Sequence, residues 1–172
     1  KRQLQKDWLI DDLTPLHQMN DQVKNANFHL FKPLDSYRMG YSSWGSSGNA
    51  GKNHHNGVKV FFNINQNLIN DSASVSLEFF DSNKKLIKRF SSDDKKNKLV
   101  LNGKKNSFVW NMRYDDAKGF DGLIMWAASL RGPKAAPGEY SVKLNVDKES
   151  IETNFTIFKD PRSMSSNNAV SY

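Results

Sequence analysis

The stretch Asn106–Tyr140, NSFVWNMRYDDAKGFDGLIMWAASLRGPKAAPGEY, decides how the chain is read. Phe108, Trp110 and Met112 alternate with Val109, Asn111 and Arg113, the period of two that marks a strand with one face buried; the strand is expected to run from Ser107 to Tyr114. Asp115 to Asp121 reads as a loop. Leu123-Ile124-Met125-Trp126 is apolar on both faces and is expected to be well covered. Pro137-Gly138 then has the order of a type II turn, because proline presets the first central dihedral and glycine tolerates a positive second one.

Alternation continues on both sides of this stretch. Downstream, Tyr140, Val142, Leu144 and Val146 share one face. After a turn at Asp147–Ser150 the chain returns through Ile151, Thr153, Phe155 and Ile157, and Asp160-Pro161-Arg162 stops the sheet. Upstream, Val58, Val60, Phe62 and Ile64 oppose Lys59, Phe61 and Asn63. Asn65–Ser72 reads as a polar turn. Val75, Leu77 and Phe79 form the next strand, and Leu86–Phe90 pairs with it through a turn at Asp81-Ser82-Asn83. Leu99–Leu101 followed by Asn102-Gly103 predicts a tight hairpin.

Phe28–Phe31 is a short strand, Leu13–Val23 has room for one or two helical turns, and Asn20–Asn27 reads as polar linker. Tyr37–Gly57 reads as a long loop with glycines at 40, 45, 48, 51 and 57. At least one of Tyr37, Tyr41 and Trp44 is expected to pack down within it, since solvating a large aromatic forfeits burial worth ~25 cal/mol per Å². The expected product is all-β: an antiparallel, Ig-like β-sandwich of seven or eight strands, with an irregular N-terminal segment. It divides into residues 1–27 as entry segment and linker, 28–162 as the sandwich and 163–172 as a polar tail.

Composition sets further limits. The 172 residues hold no cysteine, so disulfide and thiol chemistry are excluded. The chain starts at Lys1 without a signal-like leader and reads as a fragment or mature segment; no apolar run is long enough for a membrane span. The net charge of +7 is concentrated between Asp81 and Lys105, where nine cationic side chains face three aspartates. That patch is rich in lysine and has Phe90 as its single aromatic, so it reads as a solvated hairpin whose lysines protect a sheet edge. Nucleic acid is not an expected partner.

No catalytic constellation is visible. Asp115, Asp116 and Asp121 lack the ligand spacing of a calcium loop, and Lys118 intrudes. The adjacent pairs Asp11-Asp12 and Asp93-Asp94 cannot oppose one another across a cleft as glycosidase carboxylates do. His54-His55 point apart on extended chain, with no acidic or sulfur partner nearby. Neither metal nor cofactor is expected. The best binding candidates are Trp44, Trp126 and Arg131: an exposed Trp stacks on a sugar face, and Arg offers a planar fork to a carboxylate. The competing reading makes Trp110 and Trp126 core or cover residues and Arg131 a partner of nearby acids. Between the two lies a third, in which these residues line a seam against another domain.

The phrases FVWNMRY (Phe108–Tyr114), DGLIMWAASLRGPKAAPGEYSVKLNVD (Asp121–Asp147) and FKDPR (Phe158–Arg162) resemble a C-terminal Ig-like domain. It is akin to the Ig-like domain of the flagellar hook-capping protein FlgD and follows the β-propeller of bacterial sortilin-like, BNR-repeat proteins, often labelled glycosyl hydrolases. Trp8–Leu16 resembles the exit from such a propeller, as does Leu30-Phe31-Lys32-Pro33 with Tyr37-Arg38; the loop Tyr41–Asn56 departs from the family pattern. The resemblance implies an exported parent (periplasmic, outer-membrane-associated or secreted) with a propeller upstream as the first partner and carbohydrate or protein as further ones. The implied role is a non-catalytic accessory or interaction domain, with a carbohydrate-binding module as the alternative. The hydrolase label belongs to the propeller repeats, and no family catalytic residue maps onto this chain.

Overall fold

The computed structural model describes residues 12–40, 55–70, 73–120, 122, 126 and 129–164. Among them the chain runs through α1 (Thr14–His17), α2 (Asp21–Asn25), β1 (Phe28–Leu30), β2 (Ser36–Arg38), β3 (Val58–Ile64), α3 (Gln66–Asn70), β4 (Val75–Asp81), β5 (Leu86–Ser91), β6 (Lys105–Trp110), β7 (Gly138–Val146) and β8 (Glu149–Lys159). One sheet has the order β1-β3-β6 and the other β2-β8-β7-β4-β5.

The pairing registers explain why the alternating residues make one core. Val58 lies opposite Trp110, Val60 opposite Phe108 and Phe62 opposite Leu30, so the apolar face of each strand continues into the next. In the second sheet Leu77 and Leu144, Phe79 and Val142, and Tyr140 and Phe155 are register partners. The two inner faces meet, and Trp110, Phe62, Phe79, Ile64, Leu77 and Leu144 are fully enclosed between them. Phe79 stacks on Trp110 with ring centroids 4.5 Å apart, while Tyr140 stacks on Phe155 at 6.0 Å.

This is an Ig-like sandwich. The sheet β1-β3-β6 corresponds to A-B-E of that fold and β8-β7-β4-β5 to G-F-C-C′. The fold's tyrosine corner is also present: the Tyr140 hydroxyl, at the start of the penultimate strand, donates to the Ala136 carbonyl at 2.7 Å. The sandwich is not wholly antiparallel, because β2 pairs with β8 in parallel. Tyr37 and Arg38, at the opening of the expected long loop, thus belong to a strand. Its side chains are too polar and too few to show a strand period, and it is the free edge of β8 that organises them.

Four other expectations change for local reasons. Asn20–Asn27 is not all linker: the Asn20 side chain accepts the Val23 N–H at 2.8 Å and caps α2. Asn65–Ser72 contains α3, whose Leu68 and Ile69 pack against the core. Leu99–Leu101 forms no hairpin with β6. Instead, the Asn106 side chain accepts from Asn102 N–H at 2.6 Å and donates to the Gly103 carbonyl at 2.7 Å, closing the turn without a ladder. Gly138 has φ of 159°, extended chain that opens β7 and not the +80° or so of a type II turn.

The N-terminal helices are tied to the first sheet. The Gln18 side-chain amide both donates to the Lys32 carbonyl at 2.9 Å and accepts the Lys32 N–H at 2.8 Å, mimicking a ladder pair. Asp12 sits 3.8 Å from Lys59 of β3.

Candidate binding surface at the β6–β7 loop

β6 ends earlier than its alternation predicts. The Asn111 side chain accepts the Arg113 N–H at 3.1 Å, and Met112 takes a φ of 59°, turning the chain out of the ladder. Met112 nevertheless stays buried, and the Trp110 indole N–H donates to the Arg113 carbonyl at 3.1 Å. The turn leads into the long connection 111–137, whose two described arms, 112–117 and 130–135, are bonded to each other.

The bonds between those arms run in sequence. Ala135 N–H donates to Met112 at 2.6 Å, Tyr114 N–H to Pro133 at 3.0 Å and Ala117 N–H to Leu130 at 2.8 Å. Arg113 Nη1 adds a bond to the Gly132 carbonyl at 2.7 Å, and Gly132 N–H donates to the Asp116 carboxylate at 3.0 Å. That last bond holds the Asp116 carboxyl below its usual range, with the charges of Lys88, Lys96 and Arg131 acting in the same direction. Gly132 permits the close approach: a Cβ there would lie 2.2 Å from the Tyr114 carbonyl oxygen.

Beyond the bonded arms the loop presents aromatics to solvent. Trp126 is 98% exposed and Phe120 is 72% exposed. The cover expected over Trp126 is therefore not found. Leu123, Ile124 and Met125 lie outside the described residues, as do Tyr41 and Trp44. Arg131 is exposed; its charge is felt by Asp116, yet it makes no ion pair among the described residues. Tyr37 is half-exposed and lies against Phe158 on the β2–β8 surface, ring centroids 5.5 Å apart.

Sequence reasoning singled out Trp126 and Arg131 on this loop but missed its foot. There Arg113 and Lys134 are partners in an isolated antiparallel bridge. Lys134 Nζ reaches across to donate to the Met39 carbonyl at 3.3 Å, joining the loop to the end of β2. Burial lowers the Lys134 pKa, and the positive charges of Arg113 and Arg38 lower it further. Their placement depends on a contact between residues 95 positions apart, which no local pattern carries.

Three of the nine cations in the basic stretch have a carboxylate partner among the described residues. Lys84 pairs with Glu152, Lys88 lies 3.5 Å from Asp115 and Arg89 lies 3.6 Å from Glu78. A separate apolar cleft of about 240 Å³ lies on the outer face of the first sheet, between α1 and residues Phe31, Phe61 and Asn63. Among the described residues no helix is long and apolar enough to cross a membrane. No protein-family model matches the chain, and no curated protein matches it.

Proposed function

We propose that this chain is a non-catalytic Ig-like accessory domain of an exported protein carrying a sortilin-like, BNR-repeat propeller, and that it works by contact. The family part of this reading rests on the phrases at Phe108–Tyr114, Asp121–Asp147 and Phe158–Arg162. The hydrolase label, where such parents carry it, attaches to the propeller and gives these residues no catalytic role.

The contact part is carried by Trp126, which is 98% exposed on a loop whose arms are held by backbone bonds. A large aromatic presented this way contributes most when a partner desolvates it, and Trp and Arg are the usual anchors of protein interfaces. With a photo-crosslinking residue in place of Trp126 in the full-length protein, the expected product is a crosslink to the region upstream of this domain. Absence of any such crosslink overturns the reading.

The same exposure favours a second reading, a carbohydrate-binding module in which Trp126 stacks on a sugar ring. A glycan-array signal from this chain that Trp126→Ala abolishes would put that reading in place of the first.

A further inference from the structure

Tyr37 of β2 and Phe158 of β8 are register partners in the parallel pair at the sheet edge, so their side chains leave the same face. That face is the outer one: Ile157, next to Phe158, is buried in the core, whereas Phe158 is 42% and Tyr37 51% exposed. The two rings stand side by side, centroids 5.5 Å apart and planes 39° from each other. An aromatic left half in water forgoes burial worth ~25 cal/mol per Å², and here two do so together. Pro137 directly precedes the Gly138–Ile157 pair that opens the β7–β8 ladder. With Tyr37 and Phe158 it lines one groove of about 420 Å³, a size that small-molecule sites take.

The next row along the strands is polar. Thr156, two residues before Phe158, shares its face, lines the groove and is the register partner of Glu139 in β7. The Asp35 carboxylate, just ahead of β2, accepts the Thr156 N–H at 2.7 Å. Asp35 and Glu139 are both exposed. A floor of three rings is therefore flanked by two carboxylates and a hydroxyl. Lys159 also lines the groove, so both signs of charge border it.

The occupant must bring flat C–H surface for the rings and hydrogen-bond donors for the carboxylates. With both charge signs at the rim, a neutral molecule meets the least repulsion. A sugar ring has all three properties: C–H groups on its face, hydroxyls round its edge and no charge. A polyproline peptide would also lie on the rings, but its residues lack N–H groups and offer only carbonyl acceptors, which a carboxylate cannot bond.

We propose that Tyr37, Phe158 and Pro137 form the floor of a binding site for a neutral oligosaccharide, whose hydroxyls are held by Asp35, Thr156 and Glu139. Trp126 does not line this groove, and the site is independent of the contact role given to Trp126 above.

The test is an NMR titration of the chain with cellohexaose, mannohexaose and N-acetylchitohexaose, with hexagalacturonate and decaproline in parallel. At least one neutral sugar is expected to shift the amides of Tyr37, Thr156 and Phe158 and the ring protons of the two aromatics. Tyr37→Ala should weaken binding roughly tenfold, the loss of one stacking ring. Phe158→Ala should do the same and serves should the first variant disturb β2. Tyr37→Phe keeps the ring and should keep most of the affinity. Asp35→Asn should weaken binding about threefold, a charge-assisted bond being exchanged for a neutral one. Trp126→Ala should bind as the parent chain does.

No shift at these residues with any of the neutral sugars overturns the site. Tighter binding of decaproline there puts a peptide in place of the sugar, and tighter binding of hexagalacturonate overturns the neutral ligand. Sugar binding that Trp126→Ala abolishes and Tyr37→Ala leaves intact overturns this site in favour of stacking on Trp126.

Discussion

The Tyr140 hydroxyl donates to the Ala136 carbonyl at 2.7 Å, four residues upstream and at the entry to β7. This bond pins the end of the exposed loop to the core strand that follows it. The ring beneath is buried and stacks on Phe155, so the hydroxyl is held in a partly buried bond. Tyr140→Phe is expected to cost about 1–3 kcal/mol, since it strands a partly buried carbonyl; urea denaturation of the two proteins checks this.

The same residue gives an alkaline limb to stability. Burial first, then Tyr114 and Asp81, push the Tyr140 pKa from 10.0 up to about 12. The folded state then keeps its phenolic proton at a pH where the unfolded chain releases it. Stability is therefore unaffected by this group below pH 10 and falls from about pH 10 to 12, by on the order of 2 kcal/mol. Tyr114, also raised by burial, adds in the same direction. In Tyr140→Phe this limb should shrink in urea melts taken across that range.

Trp110 fills the centre of the sandwich with no exposed surface and stacks on Phe79 at 4.5 Å. Trp110→Ala should cost about 3–5 kcal/mol, the sum of lost transfer energy and the cavity left in a close-packed core. Denaturant midpoints provide the comparison, and a cost under 1 kcal/mol would show that the two sheets do not close over this ring.

Gly132 is required by proximity. A Cβ at this position would sit 2.2 Å and 2.5 Å from the carbonyl oxygens of Tyr114 and Asp115, backbone atoms that cannot swing aside. Gly132→Ala should spread the arms of the loop and destabilise them by about 1–3 kcal/mol. Faster hydrogen exchange at the Tyr114 and Ala117 amides is the expected signature. Gly40→Ala, where an added Cβ meets nothing within 4 Å, is the control and should leave exchange unchanged.

Trp126 should behave in the opposite way from Trp110. Being 98% exposed, it contributes little to the fold, and Trp126→Ala should alter stability by no more than about 0.5 kcal/mol. Its indole should be quenched by acrylamide as freely as a model compound, while Trp110 remains protected. A shielded Trp126 would mean that its loop lies on the sandwich, which would remove the basis for a contact role.

Much of the sandwich was legible because a strand with one buried face must alternate. β3 is buried at every second residue from Val58 to Ile64, and β7 follows suit from Tyr140 to Val146. The short elements were not legible. β2 is three residues long and exists because β8 offers a free edge. The premature end of β6 was masked by Met112, which keeps its core position although the backbone has left the ladder. For the candidate surface, residue type pointed to Trp126 and Arg131, but the same apolar run argued that Trp126 would be covered. Whether Trp126 is covered depends on contacts made after the chain has folded, and the bonds that join the loop's arms carry no hydrophobic period.

By itself, then, the sequence determined the class of fold and the composition of its core, because burial of alternating side chains is a local, periodic constraint. It also marked an aromatic- and arginine-bearing loop before the last two strands. The tertiary structure decided what that loop does with those residues: three backbone bonds join its arms, Gly132 lets them close, and Trp126 is left in solvent. It alone brought the Lys134 ammonium to the Met39 carbonyl, 95 residues away. Groups from separate segments meet only when the chain has folded, since a hydrogen bond follows distance in space and not position in the chain.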